Sequence, residues 1–246
     1  MKKILIIGAT SAMARAYARI EANKKATFFL VARDPVKLQQ TADDLIARGA
    51  SAVHTAILDA TDIASHKAVI DDCFDKLSAV EVVLIAHGTL PDQNECQANV
   101  DTALTEFANN STSTIALLTE LGTRFEQQHF GTIAVITSVA GDRGRPSNYL
   151  YGSAKAAVTT FCEGLRARLF KAGVHLVDIK PGFVDTPMTQ GLNLPKALLA
   201  TPETIAIYID KAISKKKDVV YAPWFWFWIL LIIKNIPNFI FKKLNI

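Results

Sequence analysis

The chain has little cysteine and pairs none of it. Cys73, Cys96 and Cys162 stand alone among 246 residues, with no CxxC and no zinc-ligand spacing. Neither a disulfide framework nor a metal site is encoded, and the three read as packed thiols of a reducing compartment. An excess of one charge is missing too. The 27 Lys+Arg stand against 23 Asp+Glu, a formal net charge of +4, which excludes the broad basic field of a nucleic-acid binder. No repeat and no low-complexity linker interrupts the chain. No apolar run reaches the roughly 20 residues that span a bilayer as a helix. The apolar stretch after Lys2-Lys3 stops at Gly8, too short for a signal peptide.

What is present is apolar and periodic. Half of the residues are hydrophobic, enough for one α/β domain with a substantial core. Apolar strand-like runs fall at Ile4–Ile7, Thr27–Val31, Ala52–Ile57, Val82–Ala86, Thr132–Thr137, His175–Ile179 and Val219–Tyr221. Helical patterns fill the gaps at Ala12–Asn23, Pro35–Arg48, Ile63–Leu77, about Asp101 to Gln128, Tyr149–Lys171 and Pro202–Ser214. Such alternation predicts a doubly wound parallel sheet of about seven strands with helices on both faces. Ligands of such sheets bind beyond the carboxyl ends of the strands. Gly8, Arg33, Asp59, Gly88, Ser138 and Pro181-Gly182 all fall just past a predicted strand.

Two motifs carry chemistry. Tyr151 and Lys155 are four apart in Tyr-Gly-Ser-Ala-Lys, one face of a helix, and Ser138 lies thirteen residues before the tyrosine. An ammonium beside a phenol is expected to favour the phenolate and let it trade a proton near neutral pH. A serine hydroxyl from a strand end can hydrogen-bond a carbonyl between them. At the other end of the domain, Lys3–Ile7 runs into Gly8-Ala-Thr-Ser-Ala-Met-Ala14, a strand turning into a helix. Gly8 permits a tight turn, Thr10 and Ser11 can cap the helix or donate to phosphate, and the N–H groups around Ala12 and Met13 can receive a pyrophosphate.

With these residues the chain resembles a short-chain dehydrogenase/reductase of the single-domain, Rossmann-like kind, over nearly all of residues 1–223. That family opens with TGxxxGxG and carries a Ser, a YxxxK pair and a supporting Asn. Ser138, Tyr151 and Lys155 match its catalytic spacing. The first loop departs from it, since Ile7 replaces the threonine and Ala12 and Ala14 replace two glycines. The resemblance implies that Lys155 lowers the phenol's pKa and bonds the nicotinamide ribose, and that Asp59 bonds the adenine. It implies that Ala86 and Gly88 flank the cofactor in Ala-His-Gly, where the family shows Asn-Ala-Gly. His87 reads as a structural variant there. The supporting Asn falls at Asn109 or Asn110, in a local break of the long helix, and spacing to Ile115–Leu118 favours Asn110. Pro181 and Gly182 resemble the family's PG loop, with Thr186 on the nicotinamide carboxamide. Residues Pro187–Pro202 read as a substrate lid.

The second strand ends in Ala32-Arg33-Asp34, with no acid where NAD enzymes hold the ribose 2′-hydroxyl. An arginine fork suits a 2′-phosphate, so NADP(H) is favoured over NAD(H). The expected activity is reduction of a carbonyl to an alcohol, or its reverse. A scaffold or dinucleotide sensor with the same fold is the alternative that the altered glycine loop keeps open.

Residues 224–246 form an aromatic and basic tail. Trp224-Phe-Trp-Phe-Trp-Ile-Leu-Leu-Ile-Ile233 is followed by Lys234, Lys242 and Lys243, with Lys215–Lys217 as further basic candidates. Tryptophans favour the membrane interface and lysines favour anionic headgroups, so Trp224 to Ile246 reads as a peripheral contact at the cytoplasmic face of a membrane. A homo-oligomer interface is the other reading. Gly141-Asp-Arg-Gly-Arg145, Ala-His-Gly and the tail together are similar to 2-keto reductases acting on polyprenyl-phosphate-linked pentose. Arg143 and Arg145 then either reach a substrate phosphate or decorate a loop.

Overall fold

Seven strands, all parallel, form one sheet among the described residues 1–244 of this computed structural model. They are β1 (Lys3–Ile7), β2 (Thr27–Ala32), β3 (Ala52–Ile57), β4 (Val82–Ile85), β5 (Thr132–Ile136), β6 (His175–Pro181) and β7 (Val219–Ala222), in the order β3-β2-β1-β4-β5-β6-β7. The order reverses between β1 and β4, which opens a crevice at their carboxyl ends. The inner strands are buried on both faces, as their unbroken Val/Ile/Leu runs require.

Helices cover both faces. On one side α1 (Ala12–Ala22), α2 (Pro35–Ala47) and α8 (Pro202–Ser214) enclose a core with Tyr17, Phe28, Leu30 and Leu45. On the other, α3 (His66–Leu77), α6 (Ser113–Gln128) and α7 (Tyr149–Phe170) enclose Phe29, Val83, Phe125 and Leu165. Side-chain caps set several starts. Asp34 accepts from Val36 and Lys37 N–H ahead of Pro35, the first residue of α2. Thr201 does the same for α8.

Three features differ from the sequence expectation. The region after β4 holds a short helix α4 (Gln93–Ala98), then α5 (Val100–Phe107), and a π-helical turn at Ala108–Thr112 joins α5 to α6. The sequence also suggests Asp62 as the cap of the helix after β3, but its side chain accepts from the Ser65 hydroxyl and makes no capping bond to the backbone. The tail is helical, with α9 (Trp226–Asn235) and α10 (Asn238–Phe241). Trp226, Leu230 and Ile233 form one face of α9, at i, i+4 and i+7, and are buried against Val139 and Phe183. Arg143 fixes the end of that helix. Its guanidinium donates to the carbonyls of Ile233, Lys234 and Ile236 and to Asn238 Oδ1, and lies 3.7 Å from the Phe241 ring centroid. Lys215–Lys217 precede β7 and the tail follows it, so the two stand at opposite ends of that strand and share no rim.

Candidate active site

A cavity of about 1060 Å³ opens beyond the carboxyl ends of the strands. One end is walled by the loop between β1 and α1, by Arg33 and by Asp59. The middle is walled by Gly88, Asn110 and Lys155, and the far end by Ser138, Tyr151, Arg145, residues 187–189 and residues 192–194. Every candidate site residue named above except Arg143 lines this one space, and Asn109 lines it beside Asn110.

Ser138 follows β5 in an extended conformation and its Oγ accepts from Ala140 N–H at 3.0 Å. Tyr151 and Lys155 stand one turn apart on α7. The helix can approach the turn at Val139–Asp142, just after β5, this closely because of two glycines. A Cβ on Gly152 would meet the Ala140 carbonyl oxygen at 2.8 Å, and one on Gly141 would meet the Ala156 nitrogen at 2.9 Å. Lys155 is buried, and its Nζ reaches Ile136 O at 3.5 Å.

The electrostatics of the pair correct the expectation from spacing. Burial pushes the Tyr151 phenol up to about 12, opposed by its hydrogen bond with Ser138. Burial pushes the Lys155 amine down to about 8, opposed by the buried Asp178 carboxylate. Lys155 Nζ is 5.7 Å from the Tyr151 ring centroid, and desolvation outweighs its attraction. Burial, and not the neighbouring ammonium, sets the direction of the Tyr151 shift.

Asn110 is the buried member of its pair and sits in the π-helical turn. Its Oδ1 accepts from Thr89 N–H at 3.0 Å, and its Nδ2 donates to Thr89 Oγ1 and Glu106 O. A Cβ on Gly88 would lie 2.9 Å from Asn110 Oδ1 and 3.4 Å from Lys155 Nζ, and φ there is +151°. Glycine is needed for the approach of all three. His87 is held as structure. Its Nε2 contacts Ser113 Oγ at 2.9 Å and Thr114 Oγ1 at 3.2 Å, and desolvation drives its pKa down to about 3, so the ring stays neutral.

The other end of the cavity fits a dinucleotide. Gly8 has φ +80°, and a Cβ there would meet the His87 backbone nitrogen at 2.5 Å. Ser11 does not cap α1 with its side chain, so Ala12 and Met13 present uncapped N–H groups to the cavity. Ala14 is fully buried in the core and does not line the cavity, so its methyl leaves the phosphate approach unchanged. Arg33 is exposed at the rim, its Nη1 3.8 Å from Asp59 Oδ2. Asp59 is pulled below the usual carboxylate range, chiefly by the Thr61 N–H. Pro181 ends β6, and Thr186 forms a capping box with Thr189.

Sequence reasoning missed Gln93 and Asn148. Gln93 sits on a six-residue helix, too short for periodicity to reveal, and Asn148 differs in no local signal from a surface turn. Behind the site lies a further unforeseen network. Asp142 accepts from Lys180 Nζ and from Tyr221 Oη, each at 2.6 Å, and Asp178 accepts from Thr137 and Thr159.

Comparison with known proteins agrees with this geometry. The family model described as short chain dehydrogenase matches residues 2–197. An uncharacterized oxidoreductase of Mycobacterium tuberculosis is 34% identical over 219 residues, covering 89% of this chain and 88% of that protein. An uncharacterized oxidoreductase of Streptomyces coelicolor is 30% identical over 244 residues, covering 99% and 96%. Sulfoacetaldehyde reductase 2 of Chromohalobacter salexigens is 31% identical over 194 residues, covering 76% and 74%. Among solved structures, a short-chain type dehydrogenase/reductase from Mycobacterium ulcerans superposes with a TM-score of 0.82 at 18% identity, covering 94% and 90%. The chain is an oxidoreductase that belongs to the short-chain dehydrogenase/reductase family and shares its nicotinamide-dinucleotide dependence.

Proposed function

We propose that the chain is an NADP(H)-dependent carbonyl reductase in which Tyr151 is the proton donor. The observation that carries this reading is the convergence of Ser138, Tyr151 and Lys155 in the same cavity as the Gly8 loop and Arg33. Bound there, the reduced nicotinamide supplies a hydride. The Ser138 hydroxyl donates to the substrate carbonyl oxygen and polarises it. The Tyr151 phenol gives that oxygen its proton, and the Lys155 ammonium offsets the charge left on the phenol. A phenol that carries its proton can serve as the donor in reduction, and the same group takes the proton back in the reverse reaction. A relative named as a reductase of an aldehyde agrees in direction.

The preference for NADP(H) rests on Arg33. Ala32 is buried at the strand end, and Asp34 spends its carboxylate on the α2 cap. The exposed Arg33 guanidinium, which lines the cavity at this strand end, is a flexible charge that suits a 2′-phosphate. Titrating the purified chain with NADPH and NADH by cofactor fluorescence tests this; tighter NADH binding rejects it. Binding of neither would favour the scaffold reading.

The outer face of the tail supports a membrane-borne or otherwise apolar substrate. Trp224, Trp228, Leu231, Ile232, Phe239 and Ile240 are exposed, with Lys234, Lys242 and Lys243 beside them. No described helix is long and apolar enough to cross a membrane. Exposed tryptophan with flanking lysine matches an anionic lipid surface. The inner face of the same helix touches Phe183 at the cavity wall, which would bring the cavity close to the lipid surface.

A further inference from the structure

We infer that Arg145 binds an anionic group on the carbonyl substrate, so that the site selects carbonyl compounds bearing a carboxylate or phosphate. The inference rests on the reductase reading and names its substrate class.

Arg145 lines the cavity together with Ser138 and Tyr151 and is only 8% exposed. Its Nε is buried without a hydrogen-bond partner, and the guanidinium makes no ion pair among the described residues. The nearby carboxylate, Asp142, is taken by Lys180 and Tyr221. The carboxylates that line the cavity are committed as well. Asp34 and Asp92 cap helices, and Asp59 holds Thr61. Arg143, two residues earlier, is fully engaged by the tail. Of the two arginines in this loop, one is structural and the other turns to the cavity without a protein partner among the described residues.

A buried cation without a partner is strongly unfavourable, so its retention at the substrate end points to a ligand that supplies the opposite charge. A second donor stands in the same position. Gln93 is 8% exposed and lines the cavity, its Oε1 is fixed by Leu150 N–H at 3.0 Å, and its Nε2 is left buried without an acceptor. A carboxylate or phosphate offers several acceptor oxygens, which suits a guanidinium fork plus an amide donor. Asn148 Oδ1, also buried, unpaired and lining the cavity, can accept from a substrate hydroxyl.

The test uses the full chain saturated with reduced cofactor and two matched substrate pairs, dihydroxyacetone phosphate with dihydroxyacetone, and succinic semialdehyde with its methyl ester. The wild type is expected to favour the anionic member of at least one pair in kcat/KM by on the order of tenfold to a hundredfold. The favoured pair tells phosphate from carboxylate. Arg145→Met should bring that ratio to about one, and Arg145→Lys should restore part of it. Its melting temperature should hold or rise, because an unpaired buried charge has been removed. An unchanged ratio in Arg145→Met, or wild-type preference for both neutral members, overturns the proposal. So does a lower melting temperature with discrimination intact, which would make the guanidinium a packing residue. If none of the four compounds is reduced, bound-cofactor fluorescence decides. A response to inorganic phosphate or succinate that Arg145→Met abolishes supports the anion site and counts against the reductase reading alone. No response in the wild type overturns the anion site.

Discussion

The indole nitrogen of Trp226 occupies the space that a Cβ on Gly182 would fill. The glycine of the loop after β6 is thus required by the tail as well as by the cavity that it lines. Gly182→Ala is expected to push Trp226 off the Val139 and Phe183 cluster and to destabilise the chain by about 1–3 kcal/mol, the usual range for overpacking. Trp226→Ala should cost about 3–5 kcal/mol through the cavity it leaves. Urea unfolding of both variants measures this. Unchanged stability in both would mean that the helix is not docked.

In the proposed mechanism Lys155 sets a pH limit. With its amine held near 8, the ammonium that supports Tyr151 is present below that pH and lost above it. Reduction measured as kcat/KM should be level up to about pH 7 and fall above pH 8. Lys155→Arg, whose guanidinium stays charged, should move or remove that limb in whatever activity remains. A limb unchanged in Lys155→Arg would assign it to another group.

In the proposed reading Arg33 governs the choice of cofactor. Arg33→Ser should weaken NADPH by on the order of tenfold to a hundredfold, the loss of charge-assisted hydrogen bonds to a phosphate, and leave NADH nearly unaffected. Equal weakening of both cofactors in a fluorescence titration would deny the arginine a phosphate-reading role.

The exposed face of α9 and α10 should bind anionic vesicles. Flotation of the full chain with phosphatidylglycerol vesicles is expected, and the triple change Trp228→Glu, Ile232→Glu, Phe239→Glu should abolish it while the buried face keeps the fold. If the wild type does not float but sediments as a dimer that the same changes dissociate, the face belongs to a second copy of the chain.

The strands and the shared placement of Ser138, Tyr151 and Lys155 were legible because they depend on local signals. Unbroken apolar runs marked β1, β4 and β5, and the spacing of Tyr151 to Lys155 put both on one face of α7. The break in the long helix was anticipated near Asn110, and it is a π-helical turn. What spacing could not show was desolvation. Both groups are buried, and burial raises the pKa of Tyr151 and lowers that of Lys155, a contribution that their spacing does not carry. Nor could spacing separate Arg143 from Arg145. Their fates depend on α9, which packs against the loop from ninety residues away. Nor could spacing show that Ala14, one of the two alanines in the first loop, is buried in the core.

The most direct measurement is NADPH oxidation by wild type and Tyr151→Phe, at equal cofactor occupancy and with a carbonyl substrate that the wild type reduces. Loss of the phenolic proton should slow turnover by roughly a hundredfold to ten-thousandfold, the usual contribution of a positioned general acid, while NADPH binding persists. Wild-type turnover in Tyr151→Phe would contradict the role given to this residue.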